Sequence, residues 1–126
     1  MKRSATSATG VNTTGNTAET VVATVPMPPL GDNPLISGVV VDGIMNMTPG
    51  AGTTGVTMRI RRGSLTGALV GPAQVVSPTV SVPGVSSFSA LDLAPVPGQP
   101  YVVTMQQAAA TGAGVVNYCV ATATAS

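Results

Sequence analysis

Reactions that move protons need a side chain whose proton affinity suits the task, and this chain supplies few. It has no histidine, and its carboxylates are Glu19, Asp32, Asp42 and Asp92. These stand far apart, each in a different expected loop or strand, with neither i,i+3 nor D-x-D spacing to gather a metal ion. The single cysteine, Cys119, has no histidine to activate its thiol and no second cysteine for an internal disulfide. It is expected to sit buried in the last strand as a small apolar residue. The sequence therefore predicts no catalytic residue, no metal ligand and no cofactor site, and a structural protein rather than an enzyme.

Two further patterns invite a chemical reading. Gly50, Gly52 and Gly55 in GAGTTG match G-x-G-x-x-G. That motif holds a pyrophosphate only where a strand precedes it and a helix follows. Here a strand follows, so the glycines read as loop chemistry, supplying positive φ. Arg59, Arg61 and Arg62 form a short basic run, either a contact for an acidic neighbour or a solvated strand face. With Lys2 and Arg3 they make five cations in all. That is too few for a nucleic-acid groove, whose affinity grows with the number of phosphates neutralised.

Positioning these residues falls to a chain of 126 residues, enough for one domain. Hydrophobic residues are 44% of it, mostly Val and Ala, with Phe88, Tyr101 and Tyr118 as the aromatics. Small side chains bury little apolar area each, so a monomer is marginal and oligomerisation is the expected remedy. Charged residues are only 7% and the net charge is +1, which implies an exterior of Thr, Ser, Gly and Ala, or one covered by partners. The six methionines read as core fillers or interface residues. The N-terminal stretch has no apolar core of a secretory leader, and no run is long enough to span a bilayer, so no membrane partner is expected. The N-x-T sequons at Asn12 and Asn46 carry no meaning without a secretory route.

Residues 1–18 are Thr-, Ser-, Ala-, Gly- and Asn-rich and lack the apolar content to order themselves. They are expected to form an extended arm lying on a neighbouring subunit or a shell, outside an all-β domain spanning 19–126. From there, runs of Val and Thr broken by Gly and Pro predict strands at Glu19–Val25, Leu35–Thr48, Gly55–Arg62, Ala68–Val70, Gln74–Val76, Thr79–Val82, Ser86–Leu93, Tyr101–Ala108 and Gly114–Thr124. That number of strands in about a hundred residues suits a β-sandwich. In VTMRIRR, Val56, Met58 and Ile60 share one face and Thr57, Arg59 and Arg61 the other. A hairpin through PGAGTT would set Met47 opposite Val56, Met45 opposite Met58, and Asp42 opposite Arg61, or opposite Arg59 after a two-residue shift. The last two strands repeat the design, with Tyr101, Val103 and Met105 on one face, and Val116, Tyr118 and Val120 alternating against Asn117 and Cys119.

The Thr- and Gly-rich arm, ETVVATVPMPP, TMRIRRGSLTG and APVPGQPYVVTMQQ together resemble small jelly-roll-like β-sandwich proteins of phage and virus particles, particularly capsid decoration (cement) proteins and related head proteins. The resemblance implies a virion subunit made in the host cytoplasm, a homo-oligomer, trimeric by preference, whose partner is a major capsid protein or other shell subunit. Two alternatives compete. A carbohydrate-binding β-sandwich module would present an aromatic platform or clustered amides and carboxylates, of which this chain has few. A shell-forming coat protein would carry a more basic arm than Lys2 and Arg3 provide.

Overall fold

Runs of β-branched residues at alternate positions, interrupted by Gly and Pro, give a chain made of strands alone among the described residues. The computed structural model describes residues 2–13, 18–28, 38–77, 79 and 82–125. In chain order the strands are β1 (Lys2–Thr13), β2 (Thr20–Val25), β3 (Val39–Thr48), β4 (Gly55–Arg62), β5 (Gln74–Val76), β6 (Gly84–Asp92), β7 (Tyr101–Ala108) and β8 (Gly114–Ala125). They form two four-stranded antiparallel sheets. The first has the order β1-β8-β3-β6 and the second β2-β7-β4-β5. Every connection crosses from one sheet to the other except that between β4 and β5, which is the winding of a jelly roll.

That winding corrects both expected hairpins. β3 and β4 lie in opposite sheets, so Met45 and Met47 meet Val56 and Met58 across the core instead of beside them, and Asp42 pairs with neither Arg59 nor Arg61. β7 and β8 are separated in the same way. The physical reason is that alternation says which face is buried and not which sheet it belongs to. Two strands facing each other across a core satisfy the same pattern as two strands side by side.

Other boundaries move as well. The expected strand at 68–70 is reduced to a single bridge, Leu69 with Arg61. Thr79–Val82 falls partly outside the described residues, and neither Thr79 nor Val82 is in a strand. Leu35 and Asp32 also lie outside the described residues. Over Lys2–Thr13 the expected arm is an edge strand of the first sheet, in register with β8 from Lys2 opposite Ala125 to Thr13 opposite Gly114. The sandwich thus includes this segment, whose order comes from main-chain pairing and needs no apolar content of its own.

The faces of β8 differ from simple alternation. Asn46 pairs with Tyr118 and Met47 with Val116, leaving Asn117 as the extra residue of a bulge. Beyond it the buried positions are Cys119, Ala121, Ala123 and Ala125, and Val120 faces out, opposite to the expectation for Tyr118 and Val120. Asn117 Nδ2 donates to Asn46 Oδ1 at 2.7 Å and Thr48 Oγ1 at 3.1 Å, so the bulge has its own polar partners.

Candidate assembly surface

The two sheets turn opposite kinds of surface outward. On the second sheet, β4 places Arg59 and Arg61 on the outer face beside Thr104 of β7. Glu19, just before β2, reaches over them. Arg61 Nε donates to its Oε2 at 2.7 Å and Arg61 Nη2 to its Oε1 at 2.9 Å, while the Thr104 hydroxyl donates to Oε2 at 2.6 Å. Arg59 Nη1 lies 3.5 Å from Oε1 and donates to Gln106 Oε1 at 2.7 Å. The Arg61 guanidinium holds the Glu19 carboxyl below its ordinary value, with the Thr104 hydroxyl and the charge of Arg59 acting in the same direction and partial burial opposing them. Thr104 is fully covered by this roof.

Arg62, the third of the run, turns to the end of the sandwich. Its Nε donates to Asp92 Oδ2 at 2.9 Å, and its Nη2 to Oδ1. The Tyr101 hydroxyl donates to Oδ2 at 2.7 Å and the Ala94 amide to Oδ1 at 3.0 Å. Burial pushes the Asp92 carboxyl up, but these donors together hold it below its usual range. The same burial, with the neighbouring carboxylate, pushes the Tyr101 phenol up. This cluster ties β6 of one sheet to β4 and β7 of the other. The arginine run therefore spends its charge inside the molecule, on carboxylates about 30 and 40 residues away in sequence.

At the opposite end a neutral latch joins the two crossing loops. Gln107, almost fully buried, accepts through Oε1 from the Gly50 amide at 2.7 Å and the Thr53 hydroxyl at 2.9 Å. The glycines of GAGTTG serve this packing. Gly52 has φ +77°, and a Cβ on Gly50 would stand 2.0 Å from the Gly112 carbonyl oxygen. Gly55 opens β4 and has no positive φ. Cys119 is buried and its thiol is pushed up to about 11 by that burial. Among the described residues no three of His, Cys, Asp and Glu gather where a metal ion could be held.

The outer face of the first sheet has a different character. By register it presents the rows Leu91–Val40–Thr124, Ser89–Asp42–Thr122, Ser87–Ile44–Val120 and Val85–Asn46–Tyr118 across β6, β3 and β8. Ile44, Val120, Leu91 and Val85 are 39%, 41%, 51% and 59% exposed. Asp42 is the one charge in these rows, and none of the ion pairs described above includes it. Behind it the Phe88 ring fills the space that Gly43 leaves, its Cζ 2.8 Å from where a Cβ would be. A shallow depression of about 670 Å³ opens there between Asp42, Ile44, Ser87, Ser89 and Val120. A second, apolar slot of about 240 Å³ lies between the edges of β5 and β6, floored by Met45, Met47 and Val56. Part of the signal for this face was present in β3, VVVDGIMNM, where Val40 and Ile44 put apolar side chains at outward positions that alternate with Asp42 and Asn46.

No protein-family model matches the chain, and no curated protein matches it. In three dimensions it is similar to the VP2 protein of infectious bursal disease virus in derived T=1 particles, at 8% identity and a TM-score of 0.60, over 98% of this chain and 32% of that one. The VP2 subviral particle of the same virus gives 9% identity and 0.57, over 98% and 33%. The fold is a jelly-roll β-sandwich. The chain spans about a third of the VP2 chains it matches. A protein of Bacillus endospore appendages, a family of disulfide-linked pili, is similar at 19% identity and a TM-score of 0.49, over 99% of this chain and 90% of that one.

Proposed function

We propose that this chain is a non-enzymatic structural subunit that assembles with copies of itself on a larger particle, as a capsid decoration (cement) protein does, with a trimer as the preferred oligomer and a virion as its place of action. The observation that carries this reading is the outer face of the first sheet. Ile44 and Val120 stand side by side there, Leu91 and Val85 are exposed toward its two ends, and Asp42 is the one charge in the rows of β6, β3 and β8, while Arg59, Arg61 and Arg62 are engaged elsewhere. Exposed apolar side chains with so little charge beside them mark a candidate association surface. The VP2 likeness supports the same direction, since VP2 forms particles. The non-enzymatic part of the reading is supported by Glu19 and Asp92, which both serve as ion-pair acceptors.

The test is sedimentation of the purified protein beside the Ile44→Asp/Val120→Asp double variant. The wild type should sediment as an oligomer at micromolar concentration and the variant as a smaller species with an unchanged far-ultraviolet spectrum. A wild-type monomer at that concentration overturns the reading. Co-sedimentation with candidate shells then tests the decoration role.

A further inference from the structure

We propose that residues 2–13 are exchanged between copies, so that β1 of one subunit completes the first sheet of its neighbour by pairing with that neighbour's β8. The inference rests on the reading that the chain assembles with itself. Three features carry it.

The first is the acceptor. β8, GVVNYCVATATA, has no charged residue and no proline along its whole length. Strands left at an edge are normally guarded by such residues, so β8 is built to be paired at all times. The second is the donor. β1 joins the sheet through an antiparallel ladder and not through a hairpin, since its chain continues across to β2 in the other sheet. Its register with β8 is the same whichever copy supplies it. KRSATSATGVNT contains one apolar residue larger than alanine, Val11, so its sequence offers few apolar anchors to tie it to its own core.

The third feature is the fixed point behind it. Glu19 is held by Arg61, Thr104 and Arg59, which secures the chain to the second sheet immediately before β2. Everything ahead of Glu19 can leave without disturbing that anchorage. Residues 14–19 span at most about 20–22 Å when extended, so the accepting β8 must belong to a subunit in direct contact. Within an assembly the neighbour's strand is present at a local concentration on the order of millimolar, comparable to that of the chain's own tethered strand. Exchange of an identical element between protomers then gives an oligomer without new contacts having to evolve.

The single native cysteine supplies the experiment. Ala8 is the register partner of Cys119. Antiparallel partners have Cα atoms about 4.5–5.5 Å apart, within the range a disulfide spans. A tagged Ala8→Cys/Cys119→Ser chain is co-expressed with the untagged wild-type chain and oxidised. Neither chain can close a disulfide within itself, so a bond between residue 8 of one and residue 119 of the other forms only if β1 has crossed over. The expected result is a shift of the tagged chain to the mass of the pair on a non-reducing gel, with the 8–119 linkage identified by mass spectrometry. Thr6→Cys with Ala121→Cys, each on the Cys119→Ser background, repeats the measurement at a second register pair. If the mixed pairs give no such linkage while the Ala8→Cys chain closes its bond internally, the strand is not exchanged. Sedimentation of the same wild-type sample separates the two ideas. An oligomer with only internal bonds overturns exchange and leaves the assembly reading standing; a monomer overturns both.

Discussion

Replacing Asp92 with asparagine removes the charge around which one end of the sandwich is organised. The Asp92 side chain is fully buried, and its two oxygens serve four donors, Oδ1 taking Arg62 Nη2 and the Ala94 amide, Oδ2 taking Arg62 Nε and the Tyr101 hydroxyl. An asparagine keeps one acceptor oxygen. Its least harmful orientation sets the NH₂ group toward Tyr101, whose hydroxyl can turn and accept, and the contact with Arg62 Nε is then lost. One charge-assisted hydrogen bond is worth about 1.5–3 kcal/mol, and breaking a fully buried pair costs about 3–5 kcal/mol. The Arg62 side chain is 25% exposed and regains some water, which places the expected cost nearer the lower figure, about 2–3 kcal/mol.

Urea unfolding at fixed protein concentration, followed by circular dichroism, measures this cost, and its pH dependence checks the cause. The folded-state pKa of Asp92 is lowered, so its contribution is complete above the unfolded-state value of about 3.9 and is lost as pH falls through the folded-state value. The stability gap between wild type and Asp92→Asn should therefore be full at neutral pH and close in acid, while the titration of Glu19 is common to both proteins and cancels. A cost under about 1 kcal/mol, or a gap that does not narrow in acid, would refute the account of this cluster.

Gly50→Ala should destabilise by at least about 2 kcal/mol, because the new Cβ meets backbone that cannot step aside and the latch to Gln107 is displaced; thermal unfolding reads it. Ala109, a non-glycine residue at φ 56°, should be stabilised on replacement by glycine by about 0.5–1 kcal/mol, the relief of left-handed strain exceeding the added freedom of the unfolded chain, and a lowered melting temperature would contradict this. The Cys119 thiol, buried and pushed up to about 11, should resist a bulky thiol reagent at pH 8 until the protein unfolds, and Cys119→Ala should cost about 1–2 kcal/mol at most; rapid native labelling would show an accessible thiol.

The strands were legible because their signals are local. β4, β5 and β7 have the bounds that Val, Thr, Gly and Pro imply, and Val56, Met58 and Ile60 face the core as the period of two requires. What was not legible is which strand lies beside which. The loop PGAGTT has the composition of a hairpin, yet Gln107 and the Gly50–Gly112 contact turn it into a crossing between sheets, and those partners come from the far end of the sequence. The Glu19–Arg61 and Asp92–Arg62 pairs escaped for the same reason, since no local spacing joins residues so distant. The Asn117 bulge reversed the reading of β8 because one inserted residue inverts every position after it. The outer face of the first sheet left a readable trace in VVVDGIMNM, in which Val40 and Ile44 are apolar although they fall off the core period kept by Val39, Val41, Met45 and Met47.

The pairing of β1 with β8 also sets an order of events during synthesis. Of the eight described strands the earliest made, β1, has as its partner the latest made, β8, with roughly a hundred residues between Thr13 and Gly114. At about 5–20 residues per second the early strand waits on the order of 5–20 s before its partner exists. Sheets built from such distant segments form slowly, and the unpaired strand is available in the meantime to whatever complementary edge is near. Where copies are made close together, that edge can be the β8 of a copy already made, so that association begins while the later chain is still being synthesised.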